Sequence, residues 1–107
     1  KKDIIDINKQ FHSGRLMNES SLEYAIKRQA RSKNWLKTAA VFTRSILIDH
    51  AFEDGNKRTA AAAIMLIMEL NNMEYKPEEI PRIIIRILKG NITNIREIEG
   101  CIKDGIR

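Results

Sequence analysis

Cysteine is all but missing from this chain. Cys101 stands alone, which excludes an internal disulfide and any zinc site built from paired thiolates. It lies close to Ile98 and Ile102, where an inert buried thiol is expected, and a single thiol fits a reducing compartment. Histidine is nearly as scarce. His12 and His50 are too few for a histidine–aspartate metal cluster of the phosphohydrolase kind. No apolar run approaches the roughly 18 residues of a membrane span, and the opening "KKDIIDINKQ" lacks the apolar centre of a signal peptide. A cytoplasmic location is the expectation. The first residue is lysine, which leaves room for residues ahead of it. Two prolines, five glycines and no sustained period-two alternation argue against sheets, linkers and low-complexity segments.

What is present reads as one ordinary globular domain spanning 1–107, with 43% hydrophobic and 31% charged residues. The net charge of +5 suits nucleotides, nucleic acid or an acidic protein, and selects none of them. Lys27, Arg28, Arg31, Lys33 and Lys37 could meet the phosphates of a nucleic acid. Without helix-turn-helix spacing or stacking aromatics, the run reads better as a solvated helix face, and nucleic acid is not an expected partner. A non-enzymatic basic helical module that binds nucleic acid or a protein is kept as an alternative.

Helical spacing dominates the rest, and about six helices are expected in an all-α bundle. Ile4, Ile7 and Phe11 make a short first helix ending near Ser13 and Gly14. A second begins at Asn18 or Ser20 and carries Leu22, Tyr24, Ala25 and Ile26 as its apolar residues. From about Ser32, the stripe Trp35, Ala39, Phe42 and Ile46 leads straight to His50. "KRTAAAAIMLIMELNN" is apolar on nearly every face, through Leu70, as a central buried helix should be. "KPEEIPRIIIRILKG" places Pro81 in a first turn and Gly90 just past the end. Thr93 is the expected cap of a last helix with Ile95, Ile98 and Ile102.

Between the third and fourth helices stands "HAFEDGNKRTA", dense in charge where a hydrophobic helix begins. A helix starting there leaves its first N–H groups unpaired and partly positive, which suits a phosphate. Gly55 lets the backbone approach a ligand closely. Asn56, Lys57 and Arg58 add side-chain donors, and Arg58 can grip a phosphate with two parallel N–H bonds. Asp54 is a hard oxygen ligand able to hold Mg²⁺ against that phosphate. His50 is the general-base candidate, since imidazole titrates near neutrality. Phe52 is expected to anchor the loop by packing. A base, a metal carboxylate and an anion cradle are what phosphoryl or nucleotidyl transfer requires. Each residue alone also has a plain explanation, because acids suit helix starts and "DGN" suits turns. Their combination ahead of a buried helix favours the site.

The stretch resembles the signature of the Fic/Doc family, H-x-F-x-(D/E)-(G/A)-N-(G/K)-R, at His50, Phe52, Asp54, Gly55, Asn56, Lys57 and Arg58. "SSLEYAIKRQ", "KTAAVFTRSILIDHAF", "KRTAAAAIMLIMELNNMEY" and "ILKGNITNIREIEGCI" are similar to the family's other helices. The resemblance implies a Fic fold and transfer of part of ATP, with Mg²⁺, to a protein hydroxyl. Most such members transfer AMP, whereas the Doc toxins phosphorylate a translation elongation factor. Lys57 stands where AMP-transferring members carry a second glycine, and Ala61 where they carry a later arginine. The lysine fills space that the α- and β-phosphates need, and the missing arginine removes a clamp. Doc-like phosphorylation of a Ser or Thr is therefore expected, with AMP transfer as the alternative and Gly55 in its favour, since some Doc-like members carry alanine there. A catalytically inactive Fic/Doc fold kept for binding is a further alternative.

The same resemblance makes His50 the general base, Asp54 the Mg²⁺ ligand, and Asn56, Lys57, Arg58 and the Gly55 N–H the phosphate binders. "RQARSKNW", residues 28–35, occupies the place of the family's target-aligning flap, although no strand is evident in it. Thr93 and Glu97 fit part of the self-inhibitory S/T-x-x-x-E-G/N pattern, but Ile98 breaks it. Regulation by a separate antitoxin protein is the expectation instead.

Overall fold

Apolar stripes at helical spacing fold into α-helices throughout the computed structural model, which describes residues 2–30 and 34–106. Six α-helices occur among them: α1 (Lys2–Lys9), α2 (Glu19–Ala30), α3 (Trp35–Thr43), α4 (Asn56–Leu70), α5 (Glu79–Lys89) and α6 (Ile95–Gly105). A π-helical turn, Arg44–Ile48, prolongs α3. The described residues contain no strand beyond one antiparallel bridge between Leu16 and Phe52. None of the helices is long and apolar enough to cross a membrane. The all-α bundle of six helices is the architecture that the periodicity implied.

α3 packs on α2, α4 and α6, while α4 also meets α1 and α5, so these two helices share the centre. Ala39, Ala40, Ala60 and Ala63 are fully or almost fully buried there. Small side chains let the two backbones draw close, and Ile64, Met68, Ile80, Ile83, Ile87, Ile98 and Ile102 fill the remaining interior. Cys101 is buried among them, as expected of an inert thiol. The radius of gyration, 12.4 Å, matches the roughly 13 Å of a compact domain of this size.

Several boundaries differ from the sequence expectation, each for a local reason. α1 stops at Lys9 rather than near Gly14, because the Asn8 carbonyl accepts the N–H groups of both Phe11 and His12 and turns the chain early. α6 is capped by Asn94, not Thr93: the Asn94 Oδ1 accepts the N–H groups of Arg96 and Glu97, and Thr93 lies one residue too early to do so. Asn34 caps α3 in the same way, through Leu36 and Lys37. The Ser32 start falls outside the described residues, as does the middle of the 28–35 segment. Tyr24 and Leu70, counted among the apolar faces, are 62% and 74% exposed. The helix stripe places Leu22 and Ala25 inward instead.

The ends of α4 and α5 are closed by asparagines. Asn72 and Asn91 adopt left-handed conformations, φ 57° and 50°. Met73 N–H then reaches back to the Met68 carbonyl, and Ile92 N–H to that of Ile87. This pattern satisfies the orphan carbonyls of a helix end. Gly90, the expected terminator, keeps φ −84° and needs no special freedom.

Candidate active site

The π turn delivers the site. Asp49 N–H bonds to the Arg44 carbonyl five residues back, at 3.0 Å, so the last turn of the α3 segment is wider than an α turn. Such turns are rare and recur at functional sites. His50 follows immediately, exposed, with φ 51°. A left-handed histidine is sparsely populated and persists where its surroundings over-determine it. Both neighbours are tied down. Asp49 carbonyl accepts the Asn18 amide at 3.0 Å, and its Oδ2 accepts the Ser21 hydroxyl at 2.7 Å. Ala51 donates to the Ser45 carbonyl and accepts the N–H groups of Met17 and Asn18.

Beyond His50 the loop is clasped from within. Phe52 is wholly buried, as an anchor should be. The Asn56 side chain closes on its main chain: Phe52 N–H donates to Oδ1 at 3.1 Å, and Nδ2 donates to the Phe52 carbonyl at 2.9 Å. One hydrogen of that Nδ2 remains for another acceptor. Gly55, at φ 76°, is the cap of α4 and supplies no side-chain acceptor to its first turn. Its own N–H donates to the Asp54 Oδ1 at 2.8 Å. The free amides at the helix start therefore begin at Asn56, and their partial positive charge faces solvent.

Two residues that the sequence reading passed over complete the arrangement. Asn8, 1% exposed on α1, donates from Nδ2 to the Asp54 carbonyl and to Thr59 Oγ1, both at 2.9 Å. Its Oδ1 accepts Gly14 N–H at 2.9 Å. A polar residue beside Ile4 and Ile7 on an apolar stripe was the available signal. His12 lies with its Nδ1 3.7 Å from Asp54 Oδ2, and it crowds Gly55 so closely that a Cβ there would stand 2.4 Å from its Cδ2. Nothing in the local pattern pointed to His12. Phe11 contributes its ring, 6.0 Å from the Arg58 guanidinium carbon, at the outer range of a cation–π contact.

His50, Asp54, Gly55, Asn56, Lys57 and Arg58 all line one cleft of about 650 Å³, with Phe11, His12, Leu47, Glu53 and Leu88 on its walls. That volume lies within the usual range for small-molecule sites. All six residues singled out in the sequence are thus brought together. Among the described residues, no three His, Cys, Asp or Glu side chains converge to hold a metal unaided. The Asp54 carboxylate, with Glu53 beside it on the cleft wall and the uncapped start of α4 next to it, still fits Mg²⁺, which keeps most of its waters and is commonly shared between a carboxylate and a nucleotide.

The family model described as Fic/DOC matches residues 2–68, from α1 through nearly all of α4. The span takes in the whole cleft apart from Leu88, and it ends before α5, so the likeness of 87–102 to the family lies beyond it. No curated protein and no solved structure gave a significant match. Members of this family are generally transferases that act on proteins. With more than half of its length matched, and the site inside the matched part, the chain belongs to the Fic/DOC family.

Proposed function

We propose that this protein is a Doc-like transferase that moves the γ-phosphoryl group of ATP onto a Ser or Thr hydroxyl of a target protein. The observation that carries this reading is the single cleft in which His50 shares walls with the uncapped start of α4 and with Lys57 and Arg58. The amides from Asn56 onward, the free Asn56 Nδ2 hydrogen, and the Lys57 and Arg58 side chains would bind the phosphate oxygens. Mg²⁺, held by Asp54 together with those oxygens, would neutralise charge on the β- and γ-phosphates. His50 would take the proton from the acceptor hydroxyl as its oxygen bonds to the γ-phosphorus. The bond from that phosphorus to the β,γ-bridging oxygen breaks, and ADP departs.

Phosphorylation is favoured over AMP transfer by Lys57, exposed in the cleft, and by Ala61, one turn further along α4. Gly55, which some Doc-like members replace by alanine, has a local explanation here. Contact with His12 and Asn8 leaves no room for a methyl group, whichever way a nucleotide lies. The proposal extends to a single catalytic domain over 1–107, a cytoplasmic setting and a separate antitoxin that restrains the toxin.

The test is transfer to proteins in a cell extract from γ-labelled and, separately, α-labelled ATP with Mg²⁺. Label from the γ position alone, lost in His50→Ala, is the expected result. Transfer of the α label would assign AMP transfer instead. An absence of both, with salt-sensitive binding to DNA, would favour the non-enzymatic basic module. Growth arrest on expression, relieved by a neighbouring gene product, is the expected sign of an antitoxin.

A further inference from the structure

A second cleft, of about 540 Å³, lies on the other side of the Asp49–His50 peptide. Its walls come from α2, through Ser21, Tyr24 and Arg28, and from the π turn, through Arg44, Ser45 and Asp49. None of the residues lining the His50 cleft lines this one. The two clefts meet where Asp49 faces one and His50 the other.

Charge decides what the second cleft can hold. Asp49 is the one carboxylate lining it among the described residues, and the Ser21 hydroxyl already donates to its Oδ2, with the Ser45 hydroxyl 3.1 Å from that of Ser21. Arg28 is steadied by a 3.0 Å bond from Nη1 to the Tyr24 hydroxyl, which leaves four of its five N–H groups for a ligand. Arg44 is exposed on the opposite wall. Two guanidinium forks with hydroxyl and amide donors between α2 and the π turn match carboxylates, which they can meet bidentately. A phosphate backbone gains most from an unbroken row of cations, and Asp49 interrupts this one.

We propose that this cleft docks an acidic stretch of the acceptor protein, close in sequence to the hydroxyl that is modified. The inference rests on the transferase reading above and names the chemistry of its acceptor. Successive Cα atoms stand about 3.8 Å apart and an extended chain advances roughly 3.3–3.6 Å per residue. A segment seated against Asp49 therefore brings a hydroxyl to His50 within a few residues. Arg28 and Arg44 are positioning residues in this scheme, because neither lies in the cleft assigned to the nucleotide.

The experiment measures fluorescence anisotropy of a labelled Glu-rich peptide containing one Ser, of its Lys-for-Glu counterpart, and of a single-stranded RNA of similar length. Each is titrated with the full chain, in the presence and absence of ATP and Mg²⁺. The acidic peptide should bind and the lysine peptide should not. Arg28→Glu/Arg44→Glu should weaken the acidic peptide by at least about tenfold, and Arg44→Gln alone by less, with thermal stabilisation by ATP unchanged in both. Equal binding of the two peptides, no binding of either, no loss in the variants, or RNA displacing the peptide with the same sensitivity would each overturn the proposal. Peptide binding needs no chemistry. A chain that binds the peptide and transfers nothing therefore removes the transferase reading alone, and a chain that phosphorylates extract proteins while ignoring acidic peptides removes this inference alone.

Discussion

Two residues at this site hold backbone conformations that most side chains resist, and they do so for different reasons. His50 is forced to φ 51° because Asp49 and Ala51 are each bonded to distant main-chain and side-chain partners. Gly55 sits at φ 76°, and there a methyl group would also meet His12 Cδ2 at 2.4 Å. Gly55→Ala should therefore destabilise the fold by about 1 kcal/mol from conformation alone, and by more from the collision. A loss of about 1 kcal/mol lowers the melting temperature by roughly 4–8 °C in a domain of this size. Removing the obstacle in Gly55→Ala/His12→Ala should restore part of that loss, while the conformational part remains. A single variant that melts with the wild type would disprove the left-handed cap. "DGN" announced a turn with a glycine in it. It could not announce His12, because that contact closes over some forty residues, and only the early stop of α1 brings the ring to the loop.

Between elements, one buried amide does much of the joining. Asn8 of α1 holds the loop through the Asp54 carbonyl, α4 through Thr59, and its own following turn through Gly14. Asn8→Ala leaves those buried partners unsatisfied, and a cost of about 2–4 kcal/mol is expected from chemical denaturation. Asn8→Asp should cost at least as much, because it keeps the Gly14 bond but buries a carboxylate oxygen against the Asp54 carbonyl in place of a donor. A second link ties the turn after α4 back to that helix, with the Tyr75 hydroxyl donating to Glu69 Oε1. That bond, reinforced by some desolvation and by the nearby carboxylate charge, raises the Tyr75 phenol above its ordinary 10.0. Its stabilising effect is complete below that ordinary value and is lost as pH rises through the raised one. Ultraviolet titration should show one tyrosine ionising late, and Glu69→Gln should bring it back towards 10.0. The helices themselves were legible, because Ile83, Ile84 and Ile87, or Ala39, Phe42 and Ile46, can share a face at only one period. Their ends were less so. Asn34, Asn72, Asn91 and Asn94 all close helices, and a sequence alone does not say which asparagine in "GNITN" caps and which turns left-handed. The π turn left no local mark either, and Asp49, which closes it, is held from a distance by Asn18 just ahead of α2 and by Ser21 within it. The candidate site was legible in its parts because the chain writes them consecutively, from His50 to Arg58, whereas its supports come from α1 and α2.

At the scale of the whole molecule, the question is whether a ligand at one helix start is felt by the entire domain. α4 packs on α1, on the π turn and on α5, so anything that binds its first turn should shift the unfolding of all of them together. The net charge of +5 adds a favourable field for an anionic ligand. ATP with Mg²⁺ at about a hundred times its Kd should stabilise the fold by about 2.7 kcal/mol, and the melting temperature should rise by on the order of ten degrees in one transition. Variants separate the parts of the site. Arg58→Ala removes a proposed phosphate contact and should reduce the rise. Asp54→Ala should leave ATP equally effective with and without Mg²⁺. His50→Ala should keep nearly the full rise, because the role proposed for the imidazole is proton transfer and not phosphate binding. Added salt should shrink every one of these shifts, since screening weakens exposed ionic contacts first. A wild-type chain indifferent to ATP and Mg²⁺ would remove the nucleotide from the cleft altogether. A His50→Ala chain that lost the rise would instead make His50 part of the binding surface, and its loss of transfer activity would no longer identify a base.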